Sequence, residues 1–548
     1  MTSAYRGKRN TMTRIIDLSN KEAQKFLMKP EQYCTTELPE YFDFAPMLSY
    51  CQKQIGEKSW RKNFNLDAAG GLSGVNLEIL SNKDGKYGVR PLSLVNPFLY
   101  ARLVSVLCKS TNWGRIINCF KAFDVEDISA CAIPVVPSKD KKEAFHKSTT
   151  ILNWWSSMEQ TPIELSLQYR YMFMTDITNC YGQVLPRSIS NALNMVGAKS
   201  EIADNKDFAD EITALVVAMQ GGHNVGIPQG SVVFALLAEL VLGYSDLLLK
   251  EAIENDGITD DYKIIRYVDD YRIFCNNRDT LERISYLLQH VLESLNFRMN
   301  TSKTKISESI VTDAVKPDKA FYIFNTPIIN KKGVDFDGFQ KHLYYIFEFS
   351  SKFPNSGQLK VLLSDFSKRL TKYLKPVKNE NVRVVAEINL ETNKVVECDK
   401  PSIFQPKIYE NVIPMIATAT QIAADNISIA HYALRVISIL IDTIKDTEDK
   451  DRVIGLVYRK LRNLPNSEYV QLWLQTLTYP ACESINQYDM PLCQLLKDAK
   501  TKLWNNSWIN SEIESGMPYS SILNVNKLKK TAQIITFKEI RAYNETAY

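Results

Sequence analysis

Two adjacent aspartates, Asp269 and Asp270, sit in the stretch KIIRYVDDYRIF between Lys263 and Phe274. The apolar pairs Ile264-Ile265 and Ile273-Phe274 flank them, which is the pattern of a strand, a tight turn and a returning strand. Neighbouring carboxylates repel one another, so holding both on one turn is costly unless a cation lies between them. Asp-Asp pairs also occur on solvated turns, so the meaning of this pair depends on its company. A third carboxylate, Asp176, ends the run YMFMT from Tyr171 to Thr175. The end of a buried strand is where open sheets place reactive groups, although an aspartate there also fits a plain helix cap. Arg90, with Lys86 nearby, carries the guanidinium fork that matches phosphate oxygens; the same residues fit a surface charge before a proline turn. Lys303, in SKTKI, can donate to a phosphate or protonate a leaving group, or simply be solvated.

These residues need elements to hold them. Leu92 to Val95 is a short apolar run, Asn96-Pro97 turns the chain, and a helix follows with Leu99, Leu103, Val106 and Leu107 on one face. After Asp176, Tyr181 and Gly182 mark a helix-entry turn. In GIPQGSVVFALLAELVL, Gly226, Pro228 and Gly230 make a rigid, closely approachable loop leading into a helix with Phe234, Leu237 and Val241 on its face. Such a loop can lie under a base or a phosphate. Residues 279–295 predict another amphipathic helix, with Leu281, Ile284, Leu287, Leu288, Val291 and Leu295 on one side. The earlier segment NLDAAGGLSGVN reads as turn-rich, KDKKEAFHK from Lys139 as a solvated basic run, and Trp154 and Trp155 as helix core. Past about residue 338 helical stripes dominate: Leu359, Leu362, Leu363, Phe366, Leu370 and Tyr373; Ala433 through Ile444; Val470, Trp473, Leu474 and Leu477. A small hairpin near 382–399 turns around Glu391–Asn393.

Bulk properties narrow the class. The chain has 548 residues, 45% hydrophobic and 23% charged, as in ordinary globular proteins, with room for two or three domains. No apolar run of membrane length stands out, and the start is polar, so the expectation is a cytoplasmic protein without a membrane span. A net charge of +4 does not announce a nucleic-acid binder by itself. Ten cysteines without a CxxC pair fit reduced thiols and argue against zinc ribbons. The five histidines show no ligand spacing.

The order of these motifs is what is specific: a strand-ending carboxylate, a GIPQG loop and helix, a YVDD hairpin, then a lysine after a further helix. It resembles the palm of reverse transcriptases over roughly residues 85 to 325. The resemblance implies an α+β right-hand polymerase fold: an N-terminal fingers region over 1–110, a palm over 111–330, and a mostly helical, repeat-like C-terminal domain over 331–548. It implies that Asp176, Asp269 and Asp270, with the carbonyl of Ile177, hold two magnesium ions. By the same match Tyr181 lies under the sugar and excludes a 2′-hydroxyl, Gln229 and Gly230 line the nucleotide pocket, Arg90 holds triphosphate, Lys303 matches the lysine of the following motif, and Tyr267 approaches the primer end. Implied partners are deoxynucleoside triphosphates, an RNA template or associated non-coding RNA, and a DNA product.

No RNase H, endonuclease or zinc motif and no VTG tripeptide is found, and the helical last third looks like the bacterial defence-associated, abortive-infection-like reverse transcriptases. That second likeness implies an antiphage role, synthesis with or without a template, homo-oligomers, and DNA that can start on a protein hydroxyl. Tyr469, Tyr479, Tyr488, Tyr519, Tyr543 and Tyr548 are the candidates for that hydroxyl. The alternatives are a generic retroelement-type reverse transcriptase, an RNA-dependent RNA polymerase (against which Tyr181 and YVDD speak), and a non-catalytic palm-like scaffold that binds nucleic acid.

Overall fold

Short apolar runs bounded by polar turns build the centre of the molecule. The computed structural model describes residues 13–82, 88–136, 153–154, 156–195, 206–325, 336–374, 387–389, 394–396, 412–479, 487–531, 534–536 and 539. Strands β1 (Leu77–Asn82) and β2 (Val89–Leu94) form an antiparallel hairpin. Strands β3 (Ile128–Ala130), β4 (Tyr171–Asp176), β5 (Tyr262–Tyr267), β6 (Asp270–Cys275) and β7 (Lys305–Ser307) form one sheet in the order β3-β5-β6-β4-β7. Both faces of this sheet are covered. Phe173, Ile264, Tyr271 and Ile273 join the main core, whereas their alternates Met172, Ile265 and Phe274 join a smaller cluster with Met158, Tyr169 and Ile310. Burial on both sides explains why these strands read as near-continuous apolar runs.

Helix α1 (Pro97–Leu107) starts at Asn96, whose side chain accepts from the Phe98 N–H at 3.1 Å, with proline at the first helical position. Then come α2 (Cys180–Gln183), α3 (Val232–Asn255) and α4 (Arg278–Ser294), the last capped by the Asn277 side chain. The faces expected for α1, α3 and α4 are buried, Leu287 only partly. Helix α3 corrects the reading that no apolar run reaches membrane length: by length and composition it does, but 78% of its most apolar window is buried inside the protein. Its largely apolar surface makes it a core helix here, and its two buried acids, Glu239 and Asp246, serve an ion cluster described below.

The fold is α+β with a helical C-terminal part. Helices α5 (Phe336–Lys352), α6 (Gly357–Leu374), α7 (Val412–Asp425), α8 (Ala430–Asp442), α9 (Thr447–Arg462) and α10 (Glu468–Thr478) follow; of these, α6, α8 and α10 carry the expected stripes, with Leu363, Phe366, Val436, Ile437, Trp473 and Leu474 fully buried. Strands β8 (Glu387–Asn389) and β9 (Lys394–Val396) pair antiparallel; the expected turn between them lies outside the described residues, as do Lys86, the basic run from Lys139, and Trp155. Residues 487–531 return to the N-terminal part. The Trp504 indole donates to Leu94 O at 2.9 Å, the Asn505 N–H to Gly74 O at 2.7 Å, and Asn96 Nδ2 to Asn506 Oδ1 at 2.7 Å. One turn-rich segment reads differently in the structure: Leu66–Gly70 is a short helix, because Asn65 Oδ1 accepts from the Ala68 N–H at 3.1 Å.

Candidate active site

Register places the carboxylates. Asp270 opens β6 opposite both Asp176 of β4 and Tyr267 of β5. Directly paired residues in antiparallel strands share a face, so Tyr267, Asp270 and Asp176 stand in line across three strands. Val268 and Asp269 alone make the turn between β5 and β6, and Val268 takes φ = 52°. A β-branched residue at positive φ is strained by about 1–3 kcal/mol, and such strain persists only where the surroundings over-determine it. Here the Asp269 carbonyl accepts from the Ile177 N–H at 3.0 Å, which ties the turn to the end of β4.

Asp176 is buried, its Oδ2 accepts from Lys303 Nζ at 2.6 Å, and its Oδ1 has no hydrogen-bond donor. A buried carboxylate oxygen without a donor is a vacancy in hydrogen bonding that a cation fits. Among the described residues no group of three His, Cys, Asp or Glu is gathered around one metal-sized position, so the carboxylates are aligned rather than converged. Three carboxylates repel when drawn together, and the Lys303 ammonium offsets that charge on Asp176. A divalent cation would compete with it for Oδ2.

A cleft of ≈ 1020 Å³ opens over the turn. Arg90, Tyr181, Gln229, Tyr267, Asp269 and Asp270 line it; Asp176, Ile177, Gly230 and Lys303 are not among its lining residues, although Asp176 pairs with Asp270 and binds Lys303. The GIPQG loop is stitched in from both sides. Gly226 N–H donates to Val184 O at 2.8 Å and Ile227 N–H to Tyr181 O at 2.9 Å, while Gln229 O accepts from the Ser93 N–H at 2.7 Å. Gly226 and Gly230 have φ of 80° and 135°, and a Cβ at Gly230 would stand 3.1 Å from Ser93 O, so glycine is required there. Burial, with Glu239 and Asp269 nearby, pushes the Tyr181 phenol well up, so it stays neutral.

Three features escaped the sequence reading. Arg266, fully buried, donates to Asp246 at 2.8–3.0 Å and to Glu239 at 3.0–3.1 Å, both on α3. The signal was present: an arginine inside an apolar strand, and two acids seven residues apart on an apolar helix. Glu78 and Ser93, bonded to each other at 2.8 Å, also line the cleft. Trp154, expected as core, is only partly buried against a hydrophobic cluster and lines the cleft. Of the candidate priming tyrosines, Tyr469, Tyr488 and Tyr519 are buried and hydrogen-bonded, Tyr479 is half-buried, and Tyr543 and Tyr548 lie outside the described residues.

Residues 109–340 match the family model described as reverse transcriptase (RNA-dependent DNA polymerase), so a reverse-transcriptase domain is present in the chain. No curated protein matches the sequence. Solved structures that are similar include apo telomerase from Candida tropicalis truncated from its C-terminal domain, at 14% identity over 47% of this chain and 54% of that one, TM-score 0.26. Telomerase from Candida albicans with a TWJ fragment of telomeric RNA aligns at 9% identity over 80% and 69%, TM-score 0.30. The BmCPV RNA-dependent RNA polymerase at elongation state aligns at 12% identity over 95% and 48%, TM-score 0.32. This chain spans about half the length of the first of these.

Proposed function

We propose that the chain is an RNA-directed DNA polymerase that extends a hydroxyl end with deoxynucleoside triphosphates. The alignment of Tyr267, Asp270 and Asp176 across three strands, beside Asp269 in a cleft that also holds Arg90, Tyr181 and Gln229, carries this reading. Asp176, Asp269 and Asp270, with the carbonyl of Ile177, would hold two magnesium ions, which when bound supply charge stabilisation for phosphoryl transfer and activation of the attacking hydroxyl. Hard carboxylate and carbonyl oxygens suit that ion, and the donorless Oδ1 of Asp176 supports the fit.

The chain's own groups do the rest. Arg90 forks onto the triphosphate from the β1–β2 hairpin. Tyr181 closes the space under the sugar, and the Gln229 loop forms the floor of the nucleotide pocket. Lys303, 2.6 Å from Asp176, supplies positive charge beside the reacting phosphates.

A cytoplasmic role in bacterial antiphage defence, in homo-oligomers, is the finer form of the proposal; the helical part that follows the reverse-transcriptase domain supports it. For priming on a protein hydroxyl, the burial of Tyr469, Tyr488 and Tyr519 speaks against those three. The test is magnesium-dependent incorporation on a primed RNA template, offering each deoxy- and ribonucleotide. Asp269→Asn and Asp270→Asn should each lower incorporation about a thousandfold or more while melting temperature holds. The same variants should lose any plaque reduction that the wild-type gene gives in a susceptible host. Near wild-type incorporation by either variant would defeat the assignment.

A further inference from the structure

The catalytic face of the sheet ends in a residue that the polymerase reading leaves without a task. Met172, Ile265 and Phe274 lie two residues along their strands from positions 174, 267 and 272, so the small apolar cluster covers the same face that carries Asp176, Tyr267 and Asp270. Trp154 and Tyr267 both pack on that cluster, and Trp154, only partly buried, forms part of the cleft wall with Tyr267, Asp269 and Asp270. Lys316, itself exposed, holds its ammonium 4.3 Å from the centroid of the Trp154 ring. The apolar cover therefore ends at an indole that contributes to the cleft wall, with a cation over one face of its ring.

That pairing has the chemistry of a nucleic-acid platform. An exposed aromatic face stacks on any base, and a neighbouring cation serves the backbone phosphate. An exposed cation–π contact alone contributes too little to keep a large apolar ring in a water-filled cleft. A chain end that brings its hydroxyl to Asp269 and Asp270 enters the cleft whose wall includes both Tyr267 and Trp154. We infer that Trp154, backed by Lys316, is the stacking platform for the terminal nucleotide of the primer strand, a positioning residue outside the chemistry itself. This rests on the polymerase reading above.

The experiment uses the full chain and a primer annealed to RNA template, with 5-iodouracil as the primer's last base. Irradiation should join that base to Trp154, as mapped by mass spectrometry of the peptides. Trp154→Ala should raise KM for primer–template by about 5- to 100-fold and leave KM for the incoming nucleotide within about threefold, whereas Trp154→Phe should keep most of the affinity. Lys316→Ala should make primer binding less salt-dependent. A crosslink elsewhere, an unchanged primer KM, or equal losses in the alanine and phenylalanine variants together with a lower melting temperature would overturn the inference while leaving the polymerase standing. Synthesis that ignores the primer and starts on a protein hydroxyl would overturn it too. No incorporation and no crosslink by the wild-type chain would overturn the polymerase reading, and this inference with it.

Discussion

Tyr181 shows how much a single side chain depends on the backbone that carries it. Its carbonyl accepts from Ile227 of the GIPQG loop, and its ring shares the neighbourhood of Tyr267, Glu239 and Asp269. Two residues earlier Asn179 takes φ = 49°, which turns the chain into the short helix that carries the ring. The backbone of Tyr181 is therefore placed by that turn and by the Ile227 bond, neither of which depends on a bound nucleotide. Replacing the ring with a small side chain should open space under the sugar without moving the loop. Tyr181→Ala is expected to raise the ribo- to deoxynucleotide ratio in kcat/KM by about 10- to 100-fold, the range over which a pocket discriminates one hydroxyl. Competition between the two nucleotides on one template measures this directly. An unchanged ratio in an active variant would mean that the ring does not face the sugar.

At the scale of elements, the turn that holds Asp269 is fixed from below by α3. Arg266 precedes Tyr267 on β5 and spans both Asp246 and Glu239, so the helix that begins at the GIPQG loop also anchors the carboxylate hairpin. Burial pushes both carboxyl groups up and Arg266 pulls them down. In Arg266→Met the guanidinium's pull is lost, leaving burial opposed at Asp246 only by its hydrogen bond with Tyr271, and the change costs about 3–5 kcal/mol at neutral pH because two buried charges lose their partner. A carboxyl whose pKa is raised in the folded state adds stability below its unfolded value and loses it as pH rises through the folded value. The variant should therefore melt closer to wild type near pH 5 than near pH 8; a deficit independent of pH would remove the carboxylates from the account.

The sequence revealed β4, β5, β6, the loop and α4 because apolar runs bounded by turn residues and a 3.6-residue stripe are local signals, whereas β1 and the three-residue β3 were not read from it. It did not reveal Arg266's partners, because an ion cluster between a strand and a helix twenty residues away leaves no period. The helix at Leu66–Gly70 was missed for a related reason: its stability comes from one side-chain cap amid glycines that read as turn. The roles given to Asp176, Asp269 and Asp270 came from the order of motifs; the structure adds their alignment and the lysine on Asp176.

At the scale of the whole molecule, the last described residues fold back onto the first ones, and this decides how the chain should unfold. Trp504 is 2% exposed and bonded to Leu94, the neighbour of Ser93, whose N–H holds Gln229 of the nucleotide loop. Asn505 N–H holds Gly74 of the cleft wall, and Tyr41 OH donates to Leu472 O on α10 at 2.9 Å. Contacts of this kind couple the two ends of the chain into one cooperative unit. Trp504→Ala should cost about 3–5 kcal/mol through the cavity and the lost indole bond. If all 548 residues unfold together, an unfolding entropy of about 2.1 cal/mol/K per residue turns that loss into a shift of only about 3–4 °C. A separately melting C-terminal unit of roughly 200 residues would instead shift by about 10 °C and leave a second transition in place. Calorimetry of the two proteins distinguishes these cases. Because Gly74 lines the cleft and Leu94 follows Ser93 of its wall, the same variant should also raise KM for the incoming nucleotide, an effect that an independent C-terminal unit would not produce.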